Sequence, residues 1–207
     1  MTPLSASELE TLPRTMATQI QPLFHRADTI RYSHFLNAMY HYTLQSEAEL
    51  EHAADLAPTE PLRQLFVHLA REEKAHYQLA EQDLKTLQKT PTPNAPPAVL
   101  ELRNYWNQVC EENFFELLGG LYVLENVAAH VMESTVACME LLSLAPCQMS
   151  FVTTHLEADA EHGQLLKEAC TQNWNKHHQD IVRGAEKIAS LWVTMHLEAI
   201  RPEQELP

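Results

Sequence analysis

The sequence predicts an all-α protein, a bundle of about seven helices, and three observations lead to this prediction. The chain has 207 residues but only 4 glycines, too few for the many tight turns of a sheet protein. Its 12 prolines leave long stretches uninterrupted, as helices require. Within those stretches apolar residues recur every three or four positions, the period of an amphipathic helix. An all-β fold is therefore disfavoured at the outset.

The first half of the chain divides into helices at recognisable signals. Asp28 is a residue type that caps helix N-termini. Pro58 ends one helical pattern, and Pro61 lies in the first turn of the next. The predicted elements, in chain order, are helices over 6–26, 28–57 and 61–88, followed by a proline-rich linker over 90–98.

The second half continues in the same style. A helix from residue 98 runs into a segment over 113–144, in which Gly119 and Gly120 predict a bend or a close approach of another helix. Two further helices are predicted over 143–174 and 178–200. No internal repeat is visible, so the prediction is a single helical domain over residues 1–207.

Charge and composition restrict the partners and the location. The formal net charge of −14 argues against nucleic acid and against an anionic membrane surface. No apolar run is long enough for a membrane span, and no signal peptide is visible. The 4 cysteines form no CxxC pair and are expected to be free thiols, so the expected location is the cytoplasm. Helical bundles of this size often dimerise, so a homodimer is one expectation.

Polar residues interrupt the apolar stripe of the predicted helix over 61–88. The stripe passes through positions 73 and 76, which are Glu73 and His76. Residues spaced i, i+3 project from one face of a helix, and here that face is the apolar one. On its own, an ExxH pair is common on helices and more often has no ligand role.

Two later predicted helices also have titratable residues within their apolar stripes. In the segment over 113–144 the stripe runs through Glu125 and continues to Met132 and Val136. In the helix over 143–174 three titratable residues follow one another at i, i+4 and i+7, namely His155, Asp159 and His162. A buried carboxylate or imidazole is costly unless it is paired or bound to a metal. The alternatives without a metal are that Glu125 is a salt-bridged acid and that His155, Asp159 and His162 lie on a partly exposed helix edge.

The six residues together predict a metal site. Three carboxylates and three imidazoles suit iron or manganese better than structural zinc, which favours closed sets of Cys and His. Three negative charges are also enough to compensate most of the charge of two ferrous ions. Neighbours on the same stripes are expected to line a substrate pocket: His68, Leu69, Leu121, Tyr122, Ala128, Val152 and Leu166.

At this point a family resemblance is visible. The segment LLGGLYVLEN over 117–126 resembles the LYVLEG-type distal helix of heme oxygenase-like proteins, with Glu125 at the acidic position. The order and spacing of the six candidate ligands are similar to those of the heme oxygenase-like diiron oxidases and oxygenases. The resemblance implies a seven-helix fold that holds two Fe(II) ions, activates O₂ and oxidises a small metabolite such as an amino acid or a fatty acid.

Heme is disfavoured as the cofactor. Heme oxygenases continue with glycines after the acidic residue, whereas this chain has Asn126 followed by Val127 and Ala128, which would crowd a heme. His25 is the only nearby candidate for a proximal heme ligand. Two other classes stay open: a metal-free protein of the same fold that binds a small molecule, and a ferritin-like diiron bundle, which would leave His155 without a role.

Overall fold

The computed structural model describes residues 9–25 and 27–200, apart from the side chains of 157–160. This part of the chain is helical, with a short 3₁₀ turn over Pro146–Gln148 and no strand, so the all-α prediction is confirmed. The α-helices, numbered in chain order, are α1 (Thr11–Phe24), α2 (Thr29–Thr43), α3 (Ser46–Leu56), α4 (Glu60–Glu72), α5 (His76–Thr86), α6 (Pro97–Glu112), α7 (Phe114–Leu141) and α8 (Ser150–Ile200).

Two helices predicted as continuous are each divided in two. The predicted helix over 28–57 is interrupted between α2 and α3, and the one over 61–88 is interrupted between α4 and α5. In the second interruption Ala75 adopts a left-handed backbone with φ 64°, which is uncommon for a residue other than glycine. Neither turn contains Gly or Pro, so no local signal marked it. Packing against the rest of the bundle has overridden helix propensity here.

The helix predicted from residue 98 does not continue into the segment over 113–144, because α6 ends at Glu112. Asn113 has an extended backbone, and its side-chain oxygen accepts a hydrogen bond of 3.2 Å from the backbone N–H of Phe115. This caps the first turn of α7. The helix over 98–144 is therefore two helices, α6 and α7, that meet at a capping asparagine.

The last two predicted helices, over 143–174 and 178–200, are joined in one helix of 51 residues, α8, which begins only at Ser150. A straight helix would separate His155 from Trp192 by about 55 Å, yet both line the same cavity. Because Cys170 and Ile181 both lie against the N-terminal part of α7, α8 must bend sharply between them.

A side chain–backbone hydrogen bond lies within the bend of α8. The side-chain amide of Asn173 donates a hydrogen bond of 2.8 Å to the carbonyl of Ala169, one turn earlier, and such side chain–backbone bonds accompany helix bends. The ring of His177 stacks on Phe115 at a centroid distance of 3.5 Å. The bend thus packs on the start of α7, and the second half of α8 returns along the bundle.

Glycines Gly119 and Gly120 mark a close approach, and α7 continues through them as one helix. A Cβ atom on Gly119 would lie 1.9 Å from the carbonyl oxygen of Ile181 on α8. Of the two alternatives that the sequence left open for this pair, the structure therefore shows the close approach.

The second half of α7 departs from the predicted stripe. Met132 and Val136 were expected to face the core, but they are 41% and 40% exposed. Val127, Val131 and Cys138 are buried in this part of the helix, together with Ala128 and Met139 of the predicted stripe. The predicted stripe continues from Ala128 to Met132 and Val136 in steps of four residues, and such steps drift away from the helical period of 3.6.

Asp83 of α5 caps the start of α8 from another helix. The side chain is fully buried, and its two oxygens accept hydrogen bonds from the backbone N–H groups of Ser150 at 3.1 Å and Phe151 at 2.8 Å. These donors belong to the first turn of α8, where no intrahelical acceptor exists. The carboxylate therefore joins the helix that begins at His76 to the helix that carries His155.

Replacing Asp83 by alanine should lower the free energy of unfolding by about 2–4 kcal/mol, because two buried donors lose their acceptor. Asp83→Asn keeps one acceptor oxygen and should cost less. Urea unfolding followed by circular dichroism measures both, with the exposed Asp55→Ala as the control. Equal stability of Asp83→Ala and the parent would contradict the capping role.

The proline-rich linker is held against α2. The side-chain oxygen of Asn37 accepts a hydrogen bond of 2.8 Å from the backbone N–H of Thr92, and Nε2 of His41 lies 3.0 Å from the carbonyl of Thr92. These contacts fix the path from α5 to α6. None of the helices in the described ranges is long and apolar enough to cross a membrane.

Candidate metal centre and its cavity

A cavity of about 310 Å³ lies inside the bundle, and its wall is mostly apolar. Helices α1, α2, α3, α6, α7 and both halves of α8 contribute to the wall. Three of the predicted ligands, Glu73, Glu125 and His155, are part of it. The cavity therefore connects the candidate ligands to a space that a small organic molecule can occupy.

Glu73, His76 and His155 form the tightest cluster of candidate ligands. One ligand atom from each can be chosen so that all three lie within 4.8 Å of one another. Glu73 is the C-cap of α4 and His76 is the first residue of α5. The pair was predicted to share one continuous helix, but the two side chains meet across the turn at Ala75. His155 comes from α8, with its ring 4.7 Å from that of His76.

Glu125 and His162 form a second group beside the first. Nδ1 of His162 lies 3.2 Å from Oε2 of Glu125, a hydrogen bond between α8 and α7. The neighbouring residues fix this register, because the side-chain amide of Asn126 donates to the backbone carbonyls of Tyr122 at 2.8 Å and of Gly163 at 3.2 Å. Asn126 therefore holds the two helices so that Glu125 and His162 face each other.

Five of the six predicted ligands are thus brought into one region, and the sixth is not described. Glu73 and Glu125 interact electrostatically with His76 and His162 across the two groups. Asp159 belongs to α8, but its side chain lies outside the described residues. A role as metal ligand remains a prediction for all six residues.

The two buried carboxyl groups have pKa values shifted in opposite directions. Burial would raise the pKa of Glu73, but the ion pair with His76, together with the charge of His162, outweighs it and holds this pKa below its usual value. Burial, together with the charge of Glu73, raises the pKa of Glu125 in spite of His162. Burial lowers the pKa of His155. Glu73 is therefore the anion of the cluster, and His155 is a neutral imidazole.

The donor set fits a metal ion. Nδ1 of His76 is buried and makes no hydrogen bond within the described chain; Oε2 of Glu73 is 3.1 Å away but is not aligned to accept one. Nδ1 of His155 donates to the carbonyl of Phe151 at 2.7 Å, which leaves Nε2 as a free ligand atom. Two histidines and one carboxylate are the donor set of many non-heme iron oxygenases.

Of the seven residues predicted to line a substrate pocket, three line this cavity and four do not. Leu121, Ala128 and Val152 line the cavity. Leu69 and Leu166 are buried in the core, Tyr122 is buried on another side of α7, and none of them belongs to the wall. His68 is also absent from the wall; its ring lies 6.2 Å from that of His162, behind the cluster. An apolar stripe contains both the residues that face the cavity and the residues that face a neighbouring helix, so the pattern does not distinguish between them.

Sequence reasoning missed the aromatic side of the cavity. Tyr42 of α2 packs on Trp192 of α8 with ring centroids 5.1 Å apart, and Trp106 and His196 complete this side. Burial, with the charges of Glu125, Glu49 and Glu73, raises the pKa of Tyr42 well above its usual value, so its hydroxyl stays protonated. Only the sharp bend of α8 brings Trp192 and His196 here, and no residue pattern predicts that contact.

His196 should make the protein less stable in acid. Burial lowers its pKa to about 4, while its bond to Trp192 works in the opposite direction. Above about pH 6.5 the ring is neutral in both the folded and the unfolded chain. Between about pH 6.5 and 4 only the unfolded chain takes up the proton, so the free energy of unfolding falls, by up to about 3 kcal/mol.

The variant His196→Phe should therefore lose part of the pH dependence of stability in this window. Urea unfolding at several pH values between 4 and 7 measures the slope, and the exposed His34→Ala serves as the control. If the parent and His196→Phe show the same slope of unfolding free energy against pH, His196 is not a buried neutral imidazole.

The fold and the cluster together define a helical-bundle protein with a candidate centre of histidine and carboxylate ligands. The chain belongs to a family of iron-containing redox enzymes, because the sequence model of that family matches residues 33–193. Its function is therefore of the oxidoreductase type. A sequence comparison with curated proteins gives no match.

Solved structures show the same fold. A domain of unknown function with a heme oxygenase-like fold from Shewanella denitrificans OS217 superposes with a TM-score of 0.86 at 21% identity, over 97% of this chain and 94% of that chain. A CADD-like protein of unknown function from Nostoc punctiforme PCC 73102 gives a TM-score of 0.70 at 12% identity, over 94% of this chain and 98% of that chain. The predicted heme oxygenase-like fold is confirmed.

Proposed function

We propose that the protein is an O₂-dependent non-heme iron oxidase or oxygenase that acts on a small metabolite in the cavity. Glu73, His76 and His155 would hold one Fe(II). Glu125, His162 and Asp159 would hold a second. The observation that carries the proposal is the cluster of two histidines and one carboxylate on the wall of an apolar cavity, in which Nδ1 of His76 has no hydrogen-bond partner within the described chain.

The residues around the centre have distinct roles in this proposal. When bound by such a donor set, ferrous iron would supply the electrons for the reduction of O₂. Glu73 provides the negative charge, and the bond from His155 to Phe151 holds its ring in the ligand orientation. Glu125 faces His162 at 3.2 Å, so the two side chains are placed to bind the second ion together. The hydroxyl of Tyr42 stays protonated and is a hydrogen-bond donor on the cavity side.

The two alternatives have less support. A ferritin-like bundle has no role for His155, which here belongs to the tightest ligand cluster, and the fold is that of heme oxygenase-like proteins. A metal-free binding protein would leave Nδ1 of His76 buried with the ion pair to Glu73 at 3.1 Å but with no aligned hydrogen-bond acceptor among the described residues. The family description also favours iron.

Anaerobic reconstitution of the metal-free protein with ferrous iron tests the proposal. We expect about two irons per chain, and an absorption change on mixing with O₂ that does not occur under nitrogen. Addition of heme to the same protein should give no Soret band of a bound heme. A protein that binds no ferrous iron, or that binds heme stoichiometrically, would refute the proposal.

A further inference from the structure

The polar groups of the cavity wall are distributed unevenly. Glu73, Glu125 and His155 belong to the candidate metal centre. Elsewhere, Glu49 pairs with Arg103 at 3.0 Å and His52 with Glu111 at 2.6 Å. The two threonine hydroxyls of the wall are also satisfied, since Thr43 donates to Met39 and Thr135 donates to Val131. Another polar wall residue, His196, makes a hydrogen bond through only one of its two ring nitrogens among the described residues.

His196 lies in the aromatic part of the wall. It is only 4% exposed, and its ring is 5.6 Å from Phe35, 6.4 Å from Phe24 and 5.0 Å from Trp192. None of these neighbours carries a charge. Among the described residues, no carboxylate contributes to the electrostatics of His196. The ring is therefore a neutral imidazole in apolar surroundings.

The hydrogen bond of His196 fixes its tautomer. Nδ1 lies 2.9 Å from the backbone carbonyl of Trp192. A carbonyl can only accept, so Nδ1 carries the proton and Nε2 carries the lone pair. No donor in the described chain reaches Nε2. The wall thus presents a hydrogen-bond acceptor without a partner, placed among aromatic rings.

We propose that this part of the cavity binds the hydrogen-bond donor of a neutral, largely apolar ligand, with Nε2 of His196 as the acceptor. The ligand class is a molecule with a hydroxyl, amide N–H or ring N–H on an apolar body. The proposal rests on the proposed function only in taking the cavity as the substrate site.

The chemistry selects against charged groups at this place. The lone pair of Nε2 faces the ligand, so an anion would be repelled unless the ring took up a proton. A cation would be buried among Phe24, Phe35 and Trp192 without a counter-ion, which is costly. A group that can only accept hydrogen bonds, such as an ether oxygen, would leave Nε2 unsatisfied. A neutral donor meets none of these costs.

Binding of matched probes to the metal-free protein tests this assignment. The probes are 1-decanol, decyl methyl ether and decanoate, which share an apolar chain and differ in the polar end. The fluorescence of Trp106 and Trp192, both in the wall, reports binding. We expect decanol to bind about five-fold tighter than the ether, as one net hydrogen bond predicts, and decanoate to bind more weakly than decanol.

Two variants distinguish the role of His196 from a general effect of the cavity. His196→Phe should bind decanol and the ether equally. His196→Gln retains an acceptor oxygen and should still prefer decanol, and circular dichroism checks that both variants fold. The proposal is overturned if the parent does not discriminate between decanol and the ether, if it binds no probe, or if His196→Phe keeps the preference.

The result is independent of the metal. Because the protein is free of iron in these titrations, a failure of iron reconstitution does not change them. Binding of decanol through His196 without any iron binding would refute the proposed function and leave this inference in place. Iron binding without any preference for decanol over the ether would leave the proposed function in place and refute this inference.

Discussion

Replacement of Gly119 or of Gly184 by alanine is expected to remove most of the stability of the protein. A Cβ atom on Gly119 would lie 1.9 Å from the carbonyl oxygen of Ile181, and one on Gly184 would lie 1.9 Å from the carbonyl oxygen of Glu116. Both contacts are with backbone, so no side-chain rotation can relieve them. The helices α7 and α8 would have to separate along the surface where they pack.

The expected loss is at least about 3 kcal/mol for either variant, because overpacking of this kind forces backbone shifts. The sign of the change in unfolding free energy is informative, because Gly→Ala inside a helix otherwise stabilises the protein by about 1 kcal/mol. Thermal and urea unfolding measure the change. A variant at least as stable as the parent would show that the two helices are not in backbone contact at this point.

Gly163→Ala is the matched control for these variants. Its Cβ atom would meet Oδ1 of Asn126 at 2.9 Å, the end of a side chain that can move. We expect a loss of about 1 kcal/mol, from strain in the hydrogen bonds that Asn126 makes with Tyr122 and Gly163. The order of stability, with Gly163→Ala well above Gly119→Ala, is the result that the structure requires.

The second large effect is expected for His155→Ala, which should lower the affinity for ferrous iron by at least about 100-fold. Even residues that only support metal ligands change affinity by about 10–100-fold when they are replaced, and His155 would be a ligand itself. Iron bound to the folded state raises the melting temperature. The parent should therefore show a rise on anaerobic addition of ferrous iron, and His155→Ala should show little or none.

His34→Ala is the control for this experiment, because His34 is an exposed residue of α2. Its iron content and its rise in melting temperature should equal those of the parent. Glu73→Gln should behave like His155→Ala, since the amide keeps the shape of the side chain but not its charge. Full iron content in His155→Ala would remove this residue from the proposed centre.

Local sequence predicted the candidate ligands for a physical reason. A carboxylate or an imidazole within an apolar helical stripe is costly, so its presence indicates a partner, and this held for Glu73, His76, Glu125, His155 and His162, which the structure brings together. The pocket lining was harder, because Leu69 and Leu166 are as apolar as Leu121 and Val152. Only the distance to the neighbouring helix distinguishes a core residue from a wall residue.

Some helix boundaries are marked by the local sequence, and others are decided by packing. The cap at Asn113 is a short-range signal and was present in the sequence, whereas the turn at Ala75 and the bend of α8 contain neither Gly nor Pro. Glu73 and His76 were expected to meet through helical spacing and meet instead across a turn. The two side chains do come together, but not through the predicted helical spacing, because tertiary packing of α4 and α5 decides where the helix stops.

The sequence by itself determined an all-α chain, the resemblance to heme oxygenase-like proteins and a small set of polar residues in apolar surroundings, because these follow from periodicity and residue type. Only the tertiary structure decided that α8 returns across the bundle, that Tyr42, Trp192 and His196 form the aromatic side of the cavity, and that Asp83 caps a distant helix. These contacts join residues far apart in the chain, and their free energy depends on packing that no local pattern contains.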